Sequence, residues 1–140
     1  MHSQHIVEEE RRVSPERTVV EELVRTITPL LPITVEEIHW NDPFVRLGSE
    51  RWHLVVGCPW ELSRSGDVVL TLESLNVAEG LAGLLGRRLN AISVAANRID
   101  PIFHFDDSID LALAADTDFD PWVMSVEGSP LIFVGVSHAP

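Results

Sequence analysis

The chain has 140 residues, 45% of them hydrophobic, and a formal net charge of −12 from 22 acids and 10 bases, every base an arginine. A domain of this length buries about two-thirds of its unfolded surface, and a mean hydropathy of +0.12 excludes intrinsic disorder. So acidic a surface repels nucleic-acid phosphates, the single Cys58 excludes an internal disulfide, and no apolar run is long enough to span a bilayer.

Residues 1–13 are polar, with Glu8-Glu9-Glu10 followed by Arg11-Arg12, and are expected to form a flexible tail. They contain no apolar signal-peptide core, so a cytoplasmic location is the expectation. Ser14-Pro15 then starts a helix, with Ser as N-cap and Pro in the first turn. Val20, Leu23, Val24 and Ile27 recur at helical spacing, and Pro29 and Pro32 end the run.

Val35 to Trp40 reads as a strand closed by Asn41-Asp42-Pro43, and Phe44 to Leu47 as a second strand closed by Gly48-Ser49. Trp52, Leu54 and Val56 alternate with Arg51, His53 and Val55, the signature of a strand buried on one face. Gly57-Cys58-Pro59 breaks it, Trp60 to Leu62 continues, Ser65-Gly66-Asp67 turns, and Val68 to Leu72 follows. That last strand is an edge on which two copies can pair as a homodimer.

Asn76, with Glu79 three residues on, predicts a capping box for a second helix. Val77, Leu81, Leu84 and Leu85 form its buried stripe, and Gly86 stands where a helix-ending glycine belongs. Leu89, Ile92 and Val94 read as a strand of imperfect period. Phe103 and Phe105, then Ile109, Leu111 and Leu113, alternate cleanly. Asp116 to Pro121 forms a loop, Trp122 and Met124 resume, Gly128-Ser129-Pro130 turns, and Leu131 to Val136 ends the pattern.

The two halves align. Asp42-Pro43-Phe44 matches Asp100-Pro101-Ile102, the Trp52 strand matches the Ile109 strand, Pro59-Trp60 matches Pro121-Trp122, and Gly66 matches Gly128. The expectation is one domain over 14–140 built from two pseudo-repeats, 14–73 and 74–140. Its fold class is α+β: two antiparallel β-meander units sharing one sheet or incomplete barrel, with two helices near 15–28 and 76–85.

Leu84-Leu85-Gly86-Arg87-Arg88-Leu89, Phe103-His104-Phe105-Asp106-Asp107 and Asp120-Pro121-Trp122-Val123-Met124 with Gly128 carry a resemblance. Over roughly residues 33–135 the chain resembles a family of small bacterial domains of unknown function. That family has a Leu-Gly-Arg-Val start, a strand ending in Asp-Gly, and a late Trp flanked by acids, and Trp52 to Leu62 is similar to its first half. Asp107-Ser108 stands where the family favours Asp-Gly, and the Gly-rich C-terminal tail is missing. The resemblance brings no chemistry with it. At the level of class, small acidic β-rich proteins of this kind resemble immunity proteins of bacterial toxin systems.

Candidate chemistry is sparse. Asp116, Asp118 and Asp120, with Glu127 beyond, approach a calcium-loop spacing, but Pro121 occupies the position that needs glycine, so no metal is expected. His104 is out of phase with Phe103 and Phe105 and is expected alone in solvent, as are His39 and His53. Cys58 has no adjacent base, Ser63-Arg64-Ser65-Gly66 lacks a strand–Ser–helix context, and no cofactor motif is present.

With no nucleophile–base pair visible, the chain is expected to be non-catalytic. From Ile99 to Pro140 it has eight acids and no Lys or Arg. This predicts a cytosolic, inhibitor-type binding protein that occludes a partner protein with a basic surface, such as a toxin. Asp106, Asp107, Asp116, Asp118, Asp120 and Trp122 would form the docking edge. The alternative is a binder of an anionic metabolite or nucleotide signal, in a pocket made by Trp40, Trp60, Arg46 and Arg51.

Overall fold

A computed structural model of the chain describes residues 15–94, 100–114, 122–129 and 132–134. Helix α1, Pro15–Ile27, runs on into a 3-10 turn, Thr28–Leu30. It buries Val20, Leu23 and Ile27 along one stripe, while Val24 is only partly buried at the stripe's margin. Among the described residues there are eleven strands, six before the second helix and five after it. They are β1 (Ile33–Thr34), β2 (Glu37–Asn41), β3 (Phe44–Gly48), β4 (Trp52–Val56), β5 (Trp60–Arg64) and β6 (Asp67–Thr71). After helix α2 (Val77–Ala82) come β7 (Arg88–Ser93), β8 (Ile102–Phe105), β9 (Ile109–Leu113), β10 (Trp122–Val126) and β11 (Ile132–Val134).

The fold class is α+β. The strands form two open antiparallel sheets rather than one shared sheet or barrel. The six-stranded sheet has the order β1-β7-β8-β9-β5-β6 and the five-stranded sheet β11-β10-β4-β3-β2. The expected meander units are not self-contained. Strands β2, β3 and β4 form a meander, and the chain then leaves that sheet so that hairpin β5–β6 pairs with β9. Strands β7, β8 and β9 form the second meander, and hairpin β10–β11 crosses back to pair with β4. Each sheet is thus one half's meander completed by the other half's hairpin.

The register repeats as well. Trp60 opens its strand opposite Leu113, and Trp122 opens its strand opposite Val56. The Asp-Pro correspondence is two residues out of place. Leu47 pairs with Leu54 as Phe103 pairs with Leu111, whereas matching the two Asp-Pro steps would equate Val45 with Phe103. The reason is the connection. Asp42-Pro43 is the whole turn between β2 and β3, where Asn41 faces Phe44, whereas Asp100-Pro101 lies at the end of a longer link and leads straight into β8.

Both sheets feed one core. Trp52, Leu54, Val56, Trp122 and Met124 come from one sheet, and Leu89, Phe103, Leu111, Leu113 and Trp60 from the other, all at most 2% exposed. The imperfect period of β7 has a cause: the pairing shifts between Leu89 and Ala91, so Leu89 and Ile92, three apart, both face inward. Val35 marks where the chain changes sheets. Its N–H bonds the Arg87 carbonyl, whereas the N–H of Glu36 bonds the Gly48 carbonyl.

Helix α2 departs from expectation. Asn76 sits at φ +58° and its side chain makes no cap hydrogen bond, so no capping box forms. The helix stops at Ala82 and the following turns leave Leu85 half exposed while Leu81 and Leu84 stay buried. Cys58 is fully buried, as its apolar neighbours imply. Among the described residues no helix is long and apolar enough to cross a membrane.

Candidate functional site

Strands β7, β8 and β9 are neighbours in the six-stranded sheet, and their core faces are apolar. Alternation therefore sends His104 and Asp110 to the opposite face. The register sets His104 directly across from Asp110, and Ser93 across from Ile102, two positions from His104 along β8. Ser93 is therefore the diagonal neighbour of His104, within reach of a long side chain.

The three side chains form a hydrogen-bonded chain. His104 Nδ1 lies 2.7 Å from Asp110 Oδ1, and His104 Nε2 lies 2.6 Å from Ser93 Oγ. The proton positions follow from chemistry. An ionised carboxylate only accepts, so Nδ1–H must donate to Asp110; in the neutral ring Nε2 is then the acceptor, and the Ser93 hydroxyl donates to it. His104 and Asp110 have side chains 34% and 39% exposed, so solvent and small solutes reach them. His104 is therefore not the lone solvent histidine expected. It is the centre of a hydrogen-bonded serine–histidine–aspartate chain.

The same face continues across the sheet. Ala112 lies opposite Ile102, and Glu61 opposite Ala112. There it meets a cleft of about 340 Å³ walled by Trp60, Glu61, Thr71, Leu72, Glu73 and Ala112.

Of the six residues expected at a docking edge, Asp106, Asp107 and Trp122 are described. Asp106 accepts from Asn90 Nδ2 and from the Arg88 backbone N–H, each at 2.9 Å, and also faces the Arg88 guanidinium. The Asn90 bond above all, then the Arg88 amide, lowers its carboxyl to about 2. Asp107, at φ +61°, forms an ion pair with Arg87. Trp122 is a core residue, 1% exposed, and is not available to a partner surface. Asp116, Asp118 and Asp120 lie outside the described residues.

The expected anion pocket is not assembled. Trp40 pairs with Val45, on the core side of β2, whereas Arg46 pairs with His39 on the other face and has its guanidinium 3.3 Å from His53 Nδ1. Arg51 stands in the exposed turn before β4, and Trp60 is buried in the other sheet. Sequence reading missed Ser93 and Asp110 as partners of His104. The available signal was that all three are polar and out of phase with the core on strands of one sheet; the pairing that aligns them is not local.

No known protein-family model, curated protein or solved structure matches the chain.

Proposed function

We propose that the protein is an acidic binding protein whose C-terminal half docks onto a basic partner protein and occludes it, an inhibitor of the immunity type being its most concrete form. The observation that carries this reading is the charge distribution: −12 overall, with eight acids and no Lys or Arg from Ile99 onward. Arg87 and Arg88, which face this segment, are already engaged by Asp107 and Asp106. Long-range attraction would steer the encounter, and close contact would set its lifetime. Anionic small molecules have less to recommend them, because Glu61 and Glu73 stand on the wall of the cleft beside Trp60.

The test is quantitative capture of basic proteins by the immobilised chain, compared with a triple Asp116→Asn, Asp118→Asn, Asp120→Asn variant. A specific partner should bind the parent chain, lose affinity steeply with added salt as screening shortens to about 10 Å at 0.1 M, and bind the variant at least about tenfold more weakly. Equal capture by both chains at every salt concentration overturns the reading.

A further inference from the structure

We propose that Ser93 is a nucleophile activated by His104, and that the outer face of the six-stranded sheet takes a small uncharged or cationic carboxylic ester. The Ser93–His104–Asp110 chain has both hydrogen bonds a relay requires, at 2.6 and 2.7 Å, in the order hydroxyl, Nε2, Nδ1, carboxylate. It stands partly exposed on a sheet surface rather than sealed in the core, with His104 and Asp110 34% and 39% exposed and Ser93 itself only partly buried. All three residues stand on paired strands, which hold them more firmly than loops would.

The neighbouring surface sets the substrate class. From Ser93 the face runs over Ile102 and Ala112 into the cleft bounded by Glu61 and Glu73. At roughly 4.8 Å per strand, two strand spacings bring an apolar acyl or alkyl arm from Ser93 to that cleft. The two glutamates and the negative net charge repel an anionic ester.

The chemistry balances without any added redox partner. Ser93 Oγ bonds to the acyl carbon and its proton passes to His104 Nε2. The carbon–oxygen bond to the leaving group then breaks, and the departing alkoxide takes that proton. Water, giving a proton to the same nitrogen, cleaves the acyl-serine, releases the acid and restores the hydroxyl. Asp110 is a positioning residue, acting through the imidazole.

The experiment treats the full chain with p-nitrophenyl acetate, following nitrophenolate release and locating the acetyl group by peptide mass mapping. The expected result is an acetyl group on Ser93 that is absent in Ser93→Ala, and release at least about 100-fold slower in His104→Gln. The parent rate should fall on acidification, because a protonated imidazole accepts no proton. Asp110→Asn should change that pH profile and Asp110→Glu restore it, which loss of a structural contact alone would not do. Circular dichroism of each variant separates misfolding from chemistry, and the parent chain's pH profile tests the idea even if a variant fails to fold. Acetylation elsewhere, an unchanged rate in Ser93→Ala, or no reaction in the parent overturns the proposal. None of these outcomes bears on the docking reading, which salt and the loop variants test separately.

Discussion

Two buried tryptophans, Trp52 and Trp60, differ by one hydrogen bond. Trp52 Nε1 donates to the Thr34 carbonyl at 2.9 Å, whereas the Trp60 indole N–H is buried with no partner among the described residues. A buried donor left unmatched costs stability, and removing one partner of a made bond costs more than removing an unmade one. Trp52→Phe should therefore destabilise more than Trp60→Phe, by about 1 kcal/mol in urea unfolding, although both lose similar volume. Asp106 gives a pH-dependent counterpart. Its carboxyl falls from 3.8 unfolded to about 2 folded, so its contribution is complete above pH 3.8 and is lost as pH drops toward 2. Asp106→Asn should flatten the fall in stability across that window, as read by acid titration of the unfolding midpoint. The sequence showed these residues to be apolar or acidic; which of them found partners depended on chains distant in sequence.

At the scale of elements, the alternating strands were legible because burial on one face imposes a period of two. The alternation of buried and half-buried positions in β4, β9 and β10 is the one written in their residues. Helix α1 was legible for the same kind of reason, at its own period. Helix α2 was legible as a helix, but its cap and its ends were not, because contacts rather than caps set them. Gly80 packs so closely that an added Cβ would lie 2.7 Å from a Leu70 methyl, and this close packing onto β6 places the helix. The tighter constraint is Gly48, at the end of β3. A Cβ there would stand 2.1 Å from the Trp52 backbone oxygen, and backbone cannot yield without opening the β3–β4 pairing. Gly48→Ala should cost at least about 3 kcal/mol, seen as a large drop in the denaturation midpoint. On the outer edge, β6 leaves Val68 and Val69 exposed at 53% and 58%, the edge strand that the sequence pointed to.

For the whole molecule, the exchange of hairpins is the governing fact. Each sheet needs strands from both halves, so neither half can complete its own sheet. Cleaving the connection between Glu73 and Ser74 provides the test. The fragments 1–73 and 74–140 should each lack native structure alone and recover the native far-ultraviolet spectrum when mixed in equal amounts. A fragment that folds cooperatively by itself would contradict this account. Folding should also be slow for the chain's length, since β4–β10 and β5–β9 join strands far apart in sequence.

The sequence by itself determined the strand and helix periods, the turns at Asp42-Pro43 and Ser65-Gly66, the apolar positions of the core, and the α+β class. These follow from local rules of burial and backbone conformation, which each segment obeys whatever its neighbours. Only the tertiary structure decided that β5 joins β9 and β10 joins β4. Several strands carry the same alternating pattern, and the choice among them is made by burying all of them at once. The same choice placed Ser93, His104 and Asp110 in hydrogen-bonding distance. Each is an ordinary polar residue on its own strand, and only the cross-strand register joins them in one hydrogen-bonded chain.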